Sequence, residues 1–310
     1  MKRLQMQKKT TLTFREGCEK YLEDCRLRNL REGSINHYRQ SFSYFCKYFP
    51  EDLPLDQINE KSYANYFKHL KATHTNDCSV RAYLRSLATL FHFWMREGYI
   101  PHFETPIITI DKTPVETYTD EELQILLKKP DVKHCSFTEY QCWVITNFLF
   151  STGVRQRSMN NIKIKDVDLE NNLVYINVTK TRKPLILPIN KTLSSILAEF
   201  LKYRQYNSVE DTLFCNVFGK PIIKSTGYQM IYDYNKRRGV ETTGLHRYRH
   251  TFAKQWILNG GNVVTLSKLL GHSNLATTQN YINLLVSDVA QQVDELSILD
   301  KFYTKRINMR

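Results

Sequence analysis

Leu245-His246-Arg247-Tyr248-Arg249-His250-Thr251-Phe252-Ala253, followed by Leu270-Gly271-His272-Ser273-Asn274-Leu275-Ala276-Thr277-Thr278-Gln279-Asn280-Tyr281, gathers an unusual density of chemically active side chains near the C-terminus of a 310-residue chain. Upstream, Ser151-Thr152-Gly153-Val154-Arg155 adds an arginine, and Lys180-Thr181-Arg182-Lys183 adds two lysines in a turn-like run. Two arginines, a lysine, histidines and a tyrosine are the groups that could converge on a phosphodiester. Guanidinium groups bind phosphate oxygens in pairs and stay charged at every relevant pH. A tyrosine hydroxyl forms a covalent intermediate when a base takes its proton, and a lysine can return a proton to the leaving oxygen. Each piece alone is weak, because a lone tyrosine or hairpin lysine is most often packing or solvated surface. His246 and His250 have the spacing of two ligands on one helix face, but Arg247 and Arg249 intervene and no acid accompanies them, which argues against a cation site. His250 and Thr251 are expected to be structural.

The composition agrees with a nucleic-acid partner. Lys and Arg number 44 against 31 Asp and Glu, a net charge of +13 that favours polyanions. A hydrophobic share of 42% and an aromatic share of 12% suit packed cores rather than a disordered chain. The seven cysteines are scattered without a CxxC pair, so neither a zinc site nor a disulfide framework is suggested. No apolar run approaches the ~18–20 residues of a membrane span, and the basic N-terminus has no apolar stretch behind it. The expectation is a cytoplasmic, nucleoid-associated protein.

Working outward, the chain divides into a basic tail over 1–10, a helical domain over 11–100, a proline-containing linker over 101–115, and a larger domain over 116–310 with a C-terminal tail from 286. In the first domain, Phe14–Leu27 and Glu60–Leu70 carry helical patterns. Ser34 is expected to cap a helix bearing Ile35, Tyr38, Phe42, Phe45 and Phe49, and Ser79 to open a long helix that Gly98 ends. Thr119 and Glu122 have capping-box spacing at the start of the second domain. Ile162–Val167, Leu173–Val178 and Leu185–Ile189 predict a three-stranded antiparallel sheet. The fold class is therefore mainly α with a small antiparallel β-sheet.

In this order and spacing the motifs resemble the tyrosine recombinase (phage integrase) family, from about Thr11 to about Leu285. The most specific string is His246-x-x-Arg249, Leu270-Gly271-His272, and Tyr281 nine residues later. The resemblance implies a helical, SAM-like core-binding domain and an α+β catalytic domain that together clamp DNA. It further implies that Arg155 and Arg249 hold the scissile phosphate and that Lys180 gives a proton to the 5′ oxygen, with Lys183 as the fallback. His246 would accept the proton of Tyr281, His272 would hydrogen-bond the phosphate, and Tyr281 would attack to form a 3′-phosphotyrosyl link. That link conserves bond energy, so no cofactor, ATP or metal is required.

The sequence departs from the family where Ser158 replaces a usual glutamate and where Tyr248 replaces a common leucine. The compact plan is more similar to Xer-type resolvases and simple transposon integrases, and a mobile-element integrase is the expectation. Expected partners are double-stranded DNA with inverted-repeat core sites, three further protomers in a synaptic homotetramer built from free monomers, and an accessory directionality factor. Arg81, Arg85 and Arg96 on one stripe of the long helix, with Lys183 and the run Lys236-Arg237-Arg238, are the candidate DNA contacts, against the alternative of an ordinary solvated face. Val289, Val293, Leu296, Leu299 and Phe302 give the tail a helical pattern suited to packing on a neighbouring protomer. The alternatives are an Xer-type dimer resolvase, a type IB topoisomerase and a DNA-binding regulator with a silent active site.

Overall fold

The computed structural model describes residues 11–74, 76–111, 116–179, 183–241, 243–272, 274, 275, 277 and 278. Lys180, Tyr281 and the tail from 286 lie outside them. The chain divides near residue 112 into two units.

The first unit contains α1 (Phe14–Leu27), α2 (Glu32–Phe45), α3 (Glu60–Thr73) and α4 (Asp77–Arg96). Thr13 starts α1 with a reciprocal capping box to Glu16. The centre of the bundle is aromatic. Trp94 on α4 is fully buried, stacks against Phe91, meets Phe14 edge-on, and donates its indole N–H to the Gly17 carbonyl at 3.0 Å. Gly17 makes that approach possible, since a Cβ there would lie 2.8 Å from both Trp94 and Leu55. The core extends past residue 100 through Ile100, Phe103, Ile107 and Ile108, and Tyr63 donates its hydroxyl to the Pro106 carbonyl.

Two helix starts differ from expectation. Arg31, not Ser34, precedes α2, so Ser34 falls inside the first turn, and the acid Glu32 faces the positive end of the helix. Asn76, not Ser79, caps α4 by accepting from the Cys78 N–H at 2.8 Å. The expected end of α4 holds: Gly98 is left-handed, its N–H reaches the Met95 carbonyl, and the Tyr99 N–H reaches the Trp94 carbonyl.

The second unit contains α5 (Asp120–Leu127), α6 (Phe137–Thr152), the single turn α7 (Gln156–Met159), β1 (Val167–Asp168), β2 (Leu173–Ile176), β3 (Leu185–Pro188), α8 (Lys191–Tyr203), α9 (Lys224–Arg237), α10 (Leu245–Leu258) and α11 (Val263–Leu269). α6 is the central helix, buried almost all round, and α5, α8, α9 and α10 pack against it. The strands pair antiparallel in the order β1-β2-β3, with Val174 opposite Leu187 and Ile176 opposite Leu185. Val174, Ile176 and Leu187 face the core.

The expected first strand over Ile162–Val167 is largely not a strand. Ile164–Asp166 is a 3-10 turn, because the buried Asp166 carboxylate folds back to accept the Lys163 N–H at 2.8 Å. The Thr119–Glu122 capping box forms as expected at the start of α5. No helix of the described residues is long and apolar enough to cross a membrane.

Candidate active site

Two helix ends build the site. α6 stops at Gly153, which adopts φ +60° and returns its N–H to the Leu149 carbonyl at 2.8 Å. Val154 then turns into the core, and Arg155 follows in extended backbone ahead of α7. α11 stops at Leu270-Gly271-His272. Gly271 is left-handed at φ +60°, its N–H reaches the Lys268 carbonyl, and the His272 N–H reaches the Ser267 carbonyl. These two bonds form a Schellman stop, which turns the chain back toward α10 and places His272 beside Arg249.

Arg249, on α10, is buried with a relative exposure of 5%. Its Nη1 donates to the Gly153 carbonyl at 2.8 Å, and its Nη2 donates to the Leu270 carbonyl at 2.9 Å. The same Nη2 lies 2.7 Å from His272 Nε2. Arg155 Nη1 donates to that Leu270 carbonyl at 3.3 Å. Two guanidinium groups therefore share one carbonyl oxygen, and their forks border one cavity of about 500 Å³. Its walls include Ser158, Thr179, Lys183, Lys268 and His272. Such a basin of fixed donors and positive charge suits a phosphate oxyanion.

The histidines register that charge. His272 is pushed down to about 4 by desolvation and then by the Arg249 and Arg155 charges. His246, exposed in the first turn of α10, is also lowered, by desolvation first and then by Arg249, Arg155 and Lys224. A lowered value leaves its imidazole neutral near pH 7, the state in which it can accept a proton. His250, whose ring is tilted against that of His246 with centroids 6.2 Å apart, is pushed down to about 4 by desolvation, His246 and Arg249. Thr251 accepts the Tyr118 N–H at 2.9 Å and donates to the Arg247 carbonyl, so it ties α10 to the chain before α5.

Of the expected site residues, Arg155, Arg249 and His272 come together, His246 sits on the same helix as Arg249, and Lys183 lies exposed at the cavity mouth. Lys180 and Tyr281 lie outside the described residues. Ser158 is buried in the cavity wall where the family usually carries glutamate. Tyr248 is fully buried and donates to Asn235 Oδ1 at 2.8 Å, so this replacement adds a polar tie between α10 and α9.

The candidate DNA contacts separate. Arg85 and Arg237 are exposed, and Arg81 is half-buried. Arg96 pairs with Asp24 and Glu97, and Lys236 pairs with Glu241. Arg238 donates to the Ile125 and Lys128 carbonyls and lies 4.6 Å over the Tyr234 ring, closing the C-terminal end of α5. Three residues of the site were not among the expected ones: Lys268 on the cavity wall, Lys224 near His246, and Thr278, whose Oγ1 lies 2.7 Å from His272 Nδ1. Lys268 could have been noticed one turn ahead of His272. The others depend on tertiary placement.

Known proteins are similar to this chain in sequence and in fold. Residues 116–287 match the phage integrase family, and residues 13–110 match the phage integrase SAM-like domain. Tyrosine recombinase XerC of Staphylococcus epidermidis is 28% identical over 267 residues, covering 83% of this chain and 88% of the relative. Tyrosine recombinase XerD of Listeria innocua is 25% identical over 283 residues, covering 86% and 93%. Among solved structures, the Tn1549 transposon integrase in complex with transposon right end DNA superposes with a TM-score of 0.74 at 18% identity, covering 91% of this chain and all of that one. A lambda integrase dimer bound to a COC′ core site gives 0.69 at 16% identity, covering 87% and 77%. At those identities the structural likeness speaks for the fold, while the sequence match spans more than half of the chain. The chain belongs to the phage integrase family.

Proposed function

We propose that this chain, a tyrosine recombinase, cuts and rejoins double-stranded DNA at specific sites to integrate and excise a mobile element. The observation that carries the chemistry is the convergence of Arg155, Arg249 and His272 around one carbonyl at the edge of a basic cavity. A scissile phosphate entering it would take over the guanidinium donors now directed at Leu270. Tyr281 Oη would then bond to phosphorus while the bond to the 5′ oxygen breaks, with the tyrosine proton passing to His246 and a proton from Lys180 reaching the departing oxygen. Lys183 is the alternative donor. Attack by another strand's 5′ hydroxyl reverses these steps, so rejoining needs no external energy source or cofactor.

The expected substrate is duplex DNA with inverted-repeat core sites, held by four protomers in a synapse with an accessory factor setting direction. Arg81, Arg85, Arg96, Lys183, Lys236, Arg237 and Arg238 are the basic residues considered for its backbone. Arg85 and Arg237 need break no ion pair among the described residues to reach it, whereas Arg96, Lys236 and Arg238 would have to leave their present partners. A groove of about 450 Å³ lined by Leu123, Leu127, Phe150, Phe252 and Trp256 suits the apolar stripe Val289, Val293, Leu296, Leu299 and Phe302 from a neighbouring protomer. Deletion from Asp288 onward should then impair synapsis more than single-site binding, and equal loss of both would count against the exchange.

The central test is a duplex nicked beside the cleavage position, so that the short 5′ fragment diffuses away. Wild type should accumulate a covalent DNA adduct that Tyr281→Phe cannot form although it still binds. Binding by wild type with no adduct would overturn the enzymatic reading in favour of a DNA-binding regulator.

A further inference from the structure

Arg249 carries only donors, so the 2.7 Å contact between its Nη2 and His272 Nε2 requires a lone pair on Nε2. In the neutral ring the single proton must then sit on Nδ1, where Thr278 Oγ1 lies 2.7 Å away and accepts it. Thr278 is fully buried, and its own N–H is bonded to the Leu275 carbonyl at 2.8 Å, so the hydroxyl is held at this place by the backbone. Desolvation, and after it the Arg249 and Arg155 charges, favours a neutral His272, which agrees with the same proton count.

This arrangement conflicts with the role expected of His272. A histidine that hydrogen-bonds a phosphate through Nε2 must carry its proton there, not on Nδ1. Once the proton is on Nε2, Nδ1 becomes an acceptor and needs a donor in the same position. A hydroxyl is among the few groups that meet both demands without moving a heavy atom, because it can rotate from acceptor to donor.

We propose that Thr278 is a positioning residue that serves both tautomers of His272: its hydroxyl accepts from Nδ1 while the phosphate site is empty, and donates to Nδ1 once a phosphate has drawn Arg249 away and Nε2 has become the proton carrier. The exchange is proton-neutral, since Nδ1 releases one proton to water and Nε2 takes one from water. Thr278 also stands three residues before Tyr281, so the bond ties the imidazole to the segment that bears the nucleophile. The inference rests on the recombinase reading for its second state, whereas the first state is a property of the protein without DNA.

The test is nitrogen-15 NMR of the full chain labelled at histidine, with His272→Gln identifying the resonance. Free protein should show Nδ1 protonated and Nε2 bare. The Tyr281→Phe protein bound to duplex substrate should show the reverse. In the nicked-duplex assay Thr278→Val should slow adduct formation roughly tenfold or more while changing non-covalent DNA affinity by less than about twofold, and Thr278→Ser should recover most of the rate. Nε2–H in the free protein, an unchanged tautomer on DNA, or wild-type cleavage by Thr278→Val would each overturn the proposal. Failure of the wild type to form any adduct would instead overturn the recombinase reading, and the free-protein spectrum would still decide the resting tautomer.

Discussion

Replacing Gly153 with alanine tests whether the end of α6 sets the geometry of the Arg155–Arg249 pair proposed to hold phosphate. Gly153 sits at φ +60°, where a residue with a Cβ costs about 1–2 kcal/mol. The added methyl would also lie 2.5 Å from Phe252 Cδ1 and 2.8 Å from Leu270 Cδ2, and forcing such overlap into a packed site costs about 1–3 kcal/mol more. The expected loss is about 2–5 kcal/mol in all. Gly219 supplies the comparison, because it has φ +73° and a methyl added there would meet nothing within 4 Å, so Gly219→Ala should lose only the backbone share, about 1–2 kcal/mol. Urea unfolding read by hydrogen exchange in peptides of α6 and α10 isolates the second unit from the first. Because Leu270 is both the residue struck and the owner of the carbonyl shared by Arg155 and Arg249, Gly153→Ala should also slow adduct formation on the nicked duplex, whereas Gly219→Ala should not. Equal losses of stability in the two variants would refute the steric argument.

Other substitutions separate structural from DNA-directed charge. Arg238→Ala should destabilise the second unit by about 1.5–3 kcal/mol by uncapping α5 while leaving the salt dependence of DNA binding unchanged. Arg85→Ala should do the opposite, lowering the slope of log affinity against log salt by about one; identical slopes would remove Arg85 from the interface. Tyr248→Phe should lose about 1–2 kcal/mol in urea melts, since it strands Asn235 Oδ1 in the core, and an unchanged midpoint would show that this bond contributes nothing. His250 and His272 titrate near 4 in the fold against about 6.5 unfolded, so folding favours their neutral forms. Their contribution is complete above about pH 6.5 and is lost as pH falls toward 4. His250→Gln should therefore flatten the fall in melting temperature between pH 7 and 4.5, and an equally steep fall would exclude His250 as a source.

What could be read from the sequence depended on how far each partner lies along the chain. The capping box of Thr119 and Glu122 closes within one turn, and so does the Gly98 stop, so composition and spacing were enough for both. The expected strand at Ile162–Val167 failed because its apolar pattern ignores Asp166, whose carboxylate captures a local N–H and bends the backbone. Arg238 looked like part of a surface charge run, yet its carbonyl acceptors lie more than a hundred positions upstream. The resemblance to the recombinase family implied that Arg155, Arg249 and His272 belong to one site. It did not predict that Arg249 would rest on His272 or that Thr278 would stand behind the ring.

The placement of these groups has a common physical origin in two interrupted helices. At Gly153 and at Gly271 a left-handed residue stops the chain and leaves a carbonyl near the negative end of a helix. Arg249 bridges both ends, with Nη1 on the Gly153 carbonyl and Nη2 on the Leu270 carbonyl, so a buried charge is stabilised by acceptors that carry no full charge of their own. A carboxylate in that position would pair with the guanidinium strongly enough to compete with an incoming phosphate. On the proposed reading, a carbonyl, which is a weaker acceptor than a carboxylate, would satisfy the donors and release them more readily to a phosphate. Thr-Gly-Val-Arg and Leu-Gly-His are thus two versions of one device, a glycine stop beside which a buried carbonyl holds Arg249, the arginine proposed to meet the phosphate.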